Sequence, residues 1–161
     1  MNPPPLITAQ TEEKLLAFLT ESGHTKFRVQ QIMDWVWRKR VASFDAMTNL
    51  SPALRSLLAE NFRFHTPEIV EISGTPGSTR KFLTRMEDGS LVESVIIPAA
   101  VAEDGEKADR TTLCVSSQVG CAFGCKFCAS GLLGLRRNLS AGEITGQILS
   151  CLLYTSDAAD E

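Results

Sequence analysis

Apolar residues recur at helical spacing over the first third of the chain and at strand spacing over the next, so the pattern predicts helices followed by a sheet. Thr11 has the chemistry of a helix N-cap, and Glu12 and Glu13 follow where the helix dipole favours acids. Leu15, Leu16, Phe18 and Leu19 form the apolar stripe, and Gly23 is the stop. A second helix is predicted over about 27–39, with Phe27, Ile32, Trp35 and Val36 facing inward. A third opens at Ser51-Pro52, cap then proline, and buries Leu54, Leu57 and Leu58. The three make a small helical module over about residues 8–65.

From Glu68 the period becomes two. Residues 68–72 read as a strand, and 80–86 and 91–97 flank Glu87-Asp88-Gly89-Ser90 as a hairpin. Residues 98–110 read as a polar loop and 111–116 as a short strand. That strand feeds a loop rich in glycine and cysteine over 118–134. Ser140-Ala141-Gly142-Glu143 is a capping box, and Ile144, Ile148, Leu149 and Leu152 supply the apolar face of the helix it opens. Strand, loop and capped helix form one βα unit, so the expected fold class is α/β: a helical module, a β-hairpin bridge, and the start of a partial (βα) barrel. One such unit cannot cover a parallel sheet on both faces, so the sequence reads as truncated. Residues 153–161 turn abruptly small and polar and read as a non-native tail.

Composition narrows the class. A hydrophobic fraction of 43% is that of a globular chain. No stretch approaches the roughly 20 apolar residues of a membrane span, and residues 1–5 lack the features of a signal peptide. The expected location is the cytoplasm, where five cysteines are thiols or metal ligands rather than disulfides. The net charge is −3, so any contact with RNA must come from local patches.

The candidate chemistry lies in Gly120-Cys121-Ala122-Phe123-Gly124-Cys125-Lys126-Phe127-Cys128. Three thiolates at this spacing can wrap one face of a cubane [4Fe–4S] cluster and leave one iron without a protein ligand. That iron can be chelated by the amine and carboxylate of S-adenosylmethionine (SAM), which one electron then cleaves to a radical. Phe127, beside the last cysteine, is placed to shield the cluster or to pack on the adenine. Structural zinc is the alternative; its fourth ligand would be Cys114 or Cys151. Three inert thiols are the plainest reading.

Residues 112–121, continued through Cys128 to 134–139 and Gly142-Glu143-Ile144, resemble the RlmN family of radical SAM enzymes. Residues 27–32, 48–51, 79–83, 88–89 and 92–98 match as well, so the resemblance covers about 10–152. It implies methylation of C2 of an adenosine in 23S ribosomal RNA, and in some members of transfer RNA. The expected partners are that RNA and a reducing electron donor, and the expected state is a monomer. It implies that Cys121, Cys125 and Cys128 hold the cluster, that Glu93 accepts a proton, and that Cys114 resolves a covalent protein–RNA intermediate. The cysteine that accepts the methyl group in that family has no match in this chain, and Cys151 is no substitute for it. The organisation implied is an RNA-contacting accessory domain at 1–66, the hairpin bridge at 67–98, the start of the radical SAM domain at 99–152, and the tail at 153–161.

Each role has a plainer rival. Glu93 alternates with apolar residues as a solvated strand residue would. Cys114 fits a small core position. Arg136 and Arg137 suit phosphates but also a solvated face, as do Arg38, Lys39 and Arg40. Trp35 and Trp37 lie on different helix faces, so one is expected in the core and the other could stack on a base. Two further functions stay open. One is the Cfr-type reaction at C8 of the same adenosine; the other is a zinc-stabilised RNA-binding module without catalysis.

Overall fold

The computed structural model describes residues 3–99 and 110–157. The polar loop expected at 98–110 therefore lies largely outside the described residues, as do residues 158–161 of the expected tail. The chain divides into two compact units, Met1–Thr66 and Pro67–Glu161.

The first unit is helical. After a turn at Ile7–Ala9, α1 spans Glu12–Glu21 and α2 spans Lys26–Met33. The Thr11 hydroxyl accepts from the Lys14 N–H at 3.2 Å, as its capping chemistry requires. α2 widens into a π turn at Asp34–Arg38, and α3 spans Pro52–Asn61, its first turn capped by Ser51. Leu15, Leu19, Ile32, Met47, Leu54 and Leu58 fill the core. Phe27 is not part of it: the buried stripe of this helix is Val29, Ile32 and Val36, at offsets of three and four, which leaves Phe27 61% exposed. Both tryptophans are half-buried against this core. Lys39 lies 3.6 Å from the centre of the Trp35 ring, and the Trp35 indole N–H donates to Asn49, so that ring is already engaged.

The second unit is a four-stranded antiparallel meander with one long helix. β1 (Glu68–Ser73), β2 (Arg80–Arg85), β3 (Leu91–Pro98) and β4 (Thr111–Cys114) are neighbours in that order. The hairpin turn forms where the sequence placed it, with Gly89 at φ +80° and the Met86 N–H donating to Ser90 O at 2.8 Å. The strand expected to start the barrel pairs antiparallel with β3, Val95 opposite Cys114 and Pro98 opposite Thr111. Among the described residues every strand pairing in the sheets is antiparallel, and the unit is a mixed helix and sheet fold.

α5 (Ala141–Asp157) covers one face of the meander. Phe82, Ile96 and Cys151 form one core cluster; Met86, Val92, Val119 and Leu139 form another, with Ile144 packed against it. The helix continues through residues 153–157, and the Tyr154 ring meets Phe82 edge-on with centroids 5.4 Å apart. No helix of the described residues is long and apolar enough to cross a membrane.

Candidate functional site

Strand alternation places the first candidate. Val92, Ser94 and Ile96 of β3 are buried beneath α5, so Glu93 and Ile97 point to the open face. Cys114 stands opposite Val95, and directly opposed residues share a face. Glu93 and Cys114 therefore lie on the same open face, one diagonal step apart on adjacent strands. Cys114 is exposed, which removes the reading of it as a core thiol. Lys81 on β2 pairs with Glu93, Nζ to Oε1 at 2.7 Å, and that hydrogen bond holds the Lys81 ammonium above its ordinary pKa.

The cysteine loop is the second candidate. Two short strands, β5 (Gln118–Val119) and β6 (Arg137–Asn138), pair antiparallel and close it at the base. The Cys121 N–H donates to Gly134 O at 3.2 Å, and the Arg136 N–H to Val119 O at 2.9 Å. Gly120 sits at φ +75°, where a Cβ would run into the Gly134 carbonyl. At the far end α4 (Ala129–Leu132) begins beside Cys128, and a Cβ on Gly131 would lie 2.8 Å from the backbone N and O of Cys125. The short helix thus rests directly on the Cys125 peptide.

Cys121, Cys125 and Cys128 are free thiols, each partly exposed. The Phe123 N–H reaches the Cys121 Sγ at 3.5 Å, the kind of backbone donor that tunes an iron–sulfur centre. Among the described residues no three His, Cys, Asp or Glu side chains are gathered as a metal site, so one loop supplies all three thiols without converging them. The donor set and the tight loop fit a [4Fe–4S] cluster. Cys151 does not fit as a fourth ligand for zinc: it is fully buried, and burial pushes its thiol up to about 11. Phe127 is 94% exposed and Phe123 87% exposed, both on the loop surface.

Arg137 is spoken for. It donates to both carboxylate oxygens of Glu143, at 3.0 and 2.7 Å, and to Asp88 at 2.7 Å. It ties the loop base to the hairpin turn and to the N-terminus of α5. The Arg137 guanidinium holds the Glu143 carboxyl below the usual range; the Ser90 N–H does the same for Asp88, helped by Arg137. Arg136 keeps an exposed side chain.

Sequence reasoning missed Gln147. It is fully buried on α5, where it accepts from the Ser94 hydroxyl at 2.9 Å and from the Ser116 N–H at 3.0 Å, and donates to Ser116 O at 2.9 Å. The signal was available: Gln147 lies four residues from Glu143 and three from Ile144, on the inward side.

Similarities to known proteins converge on these elements. The family described as the ribosomal RNA large subunit methyltransferase N-terminal domain matches residues 7–63. The probable dual-specificity RNA methyltransferase RlmN of Akkermansia muciniphila is 81% identical over 150 residues, covering 93% of this chain and 42% of that protein. The dual-specificity RNA methyltransferase RlmN of Oleidesulfovibrio alaskensis is 46% identical over 151 residues, covering 93% of this chain and 40% of its own length. A crystal structure of a radical SAM methyltransferase from Sphaerobacter thermophilus superposes with a TM-score of 0.78 at 37% identity, over 97% of this chain and 44% of that one. The chain thus spans about two fifths of the length of the curated relatives it matches.

Proposed function

We propose, from the premise that this chain belongs to the RlmN family, that it carries the cluster loop and part of the active face of a radical SAM RNA methyltransferase. The substrate is an adenosine of 23S ribosomal RNA, methylated at C2, with transfer RNA as a second substrate. The observation that carries this reading is the placement of Glu93 and Cys114 on one open sheet face, with the free-thiol loop following Cys114 by a few residues.

Cys121, Cys125 and Cys128 would hold a [4Fe–4S] cluster, with Phe127 beside the last ligand. When bound, that cluster supplies, with an external electron donor, the one-electron cleavage of SAM. The chain's own residues do the rest of what this part can do. Glu93 accepts a proton at its carboxylate, and the Lys81 ammonium orients that carboxylate. Cys114 offers an exposed thiol a diagonal step away; as its thiolate it would attack the sulfur that links protein to RNA, forming a disulfide as the bond from that sulfur to the RNA breaks and the product leaves. The helical unit 1–66 contacts RNA, 67–98 is the bridge, and 99–152 opens the radical SAM domain. A reducing cytoplasm suits the free thiols.

The test is nucleoside mass spectrometry of 23S ribosomal RNA and transfer RNA after reaction with the full-length enzyme, SAM and a reductant. The expected product is 2-methyladenosine. Appearance of 8-methyladenosine instead would move the assignment to C8 chemistry, and an unmodified substrate with a loaded cluster would refute the reading.

A further inference from the structure

Three parts of the proposed site must be held in fixed relation: Glu93 on β3, Cys114 at the end of β4, and the loop that begins at Gln118. The chain joins the last two through Val115, Ser116 and Ser117, a stretch outside both ladders. Backbone there must find partners elsewhere, because an unmet buried donor or acceptor costs about 1–3 kcal/mol. Ser116 finds them in a single side chain. Gln147 accepts from its N–H and donates to its C=O, so the amide replaces a missing strand. The same Gln147 oxygen accepts from the Ser94 hydroxyl, in the residue next to Glu93. Ser116 in turn donates from its hydroxyl to the Glu93 carbonyl at 2.8 Å. Four hydrogen bonds thus join α5, β3 and the link between Cys114 and the cysteine loop. Ser94 and Gln147 are buried, so the network is largely shielded from competing water.

We propose that Gln147 is a positioning residue of this active site: through Ser116 and Ser94 it fixes Cys114 and the root of the cysteine loop against Glu93. This rests on the reading of Glu93 and Cys114 given above. Gln147 touches no reacting group. Its amide is suited to the task because one side chain presents a donor and an acceptor in the plane that a peptide unit requires. Glu cannot donate to Ser116 O at neutral pH, and Leu can make none of the bonds.

The experiment compares full-length wild type with Q147L, Q147E and, as a control for lost packing, L149A, a buried neighbour on α5 outside the network. Melting temperature, iron content, kcat, KM for RNA and the amount of covalent protein–RNA adduct are read together. The expected result for Q147L is a kcat lowered about tenfold with KM within about twofold and adduct accumulating, since a displaced Cys114 resolves it slowly. Q147E falls between, and L149A loses melting temperature without the adduct. Wild-type kcat and adduct in Q147L, or the same adduct in L149A, would overturn the proposal; if Q147L does not fold, Q147E decides on the same readouts. C114A and E93Q run alongside. If those two also turn over normally, it is the reading of the sheet face that fails.

Discussion

Cys114 and Cys151 show how much a residue's chemistry depends on which face it occupies. Both are lone cysteines in apolar stretches, and the sequence read the first as a resolving thiol or a core residue. The register with β3 places Cys114 on the open face, whereas Cys151 is sealed between α5 and Phe82. In native protein at mildly alkaline pH, iodoacetamide should label Cys114 readily and leave Cys151 unmodified, as peptide mass spectrometry would show; labelling of Cys151 before unfolding would contradict its placement. Because the folded Cys151 thiol is raised to about 11 from 9.0, unfolding releases a proton in that interval. This part of the stability is therefore intact below about pH 9 and declines as pH rises above it. Glu93 was half legible: period two set it against Val92, but only the burial of Val92 under α5 shows which side is open.

At the scale of elements, the capping box and the hairpin turn were readable because each is a local pattern with its own hydrogen bonds. Ser140 and Glu143 exchange the predicted pair, the Ser140 N–H to Glu143 at 2.8 Å and the Glu143 N–H to Ser140 at 3.3 Å. The partner of β4 depends on contacts distant in sequence, which no window contains. The inward side of α5 is also less apolar than its leucines and isoleucines suggested, since Gly146, Gln147, Ser150 and Cys151 occupy it. Gly146 is there because Pro67 lies where a Cβ would be, 2.9 Å away. The loop base gives two predictions. G120A should lower the melting temperature and reduce cluster content, because its φ alone costs about 1–2 kcal/mol for an alanine before the clash with Gly134. R137A should cost about 1–2 kcal/mol near neutral pH, read from urea midpoints, as charge-assisted bonds on a partly exposed residue do. Since Glu143 and Asp88 are held below the usual carboxylate range, their contribution is present above that range and lost as pH falls through their folded values. The gap between wild type and R137A should therefore shrink on acidification.

For the whole molecule, the order of a helical unit followed by a sheet unit was legible because the hydrophobic period changes from helical to two near residue 66. The cysteine spacing was equally plain. The antiparallel pairing of β4 with β3 was not, since β-strand patterning does not encode which edge a strand joins. On the proposed function, Cys121, Cys125 and Cys128 bind an iron–sulfur cluster on a loop that the rest of the unit holds in shape. The most direct measurement is anaerobic reconstitution of wild type and C125A with iron and sulfide, then quantification of iron, sulfide and zinc per chain. The expected result is about four irons and matching sulfide in wild type and their loss in C125A. One zinc without sulfide, or stoichiometric iron retained in C125A, would contradict it.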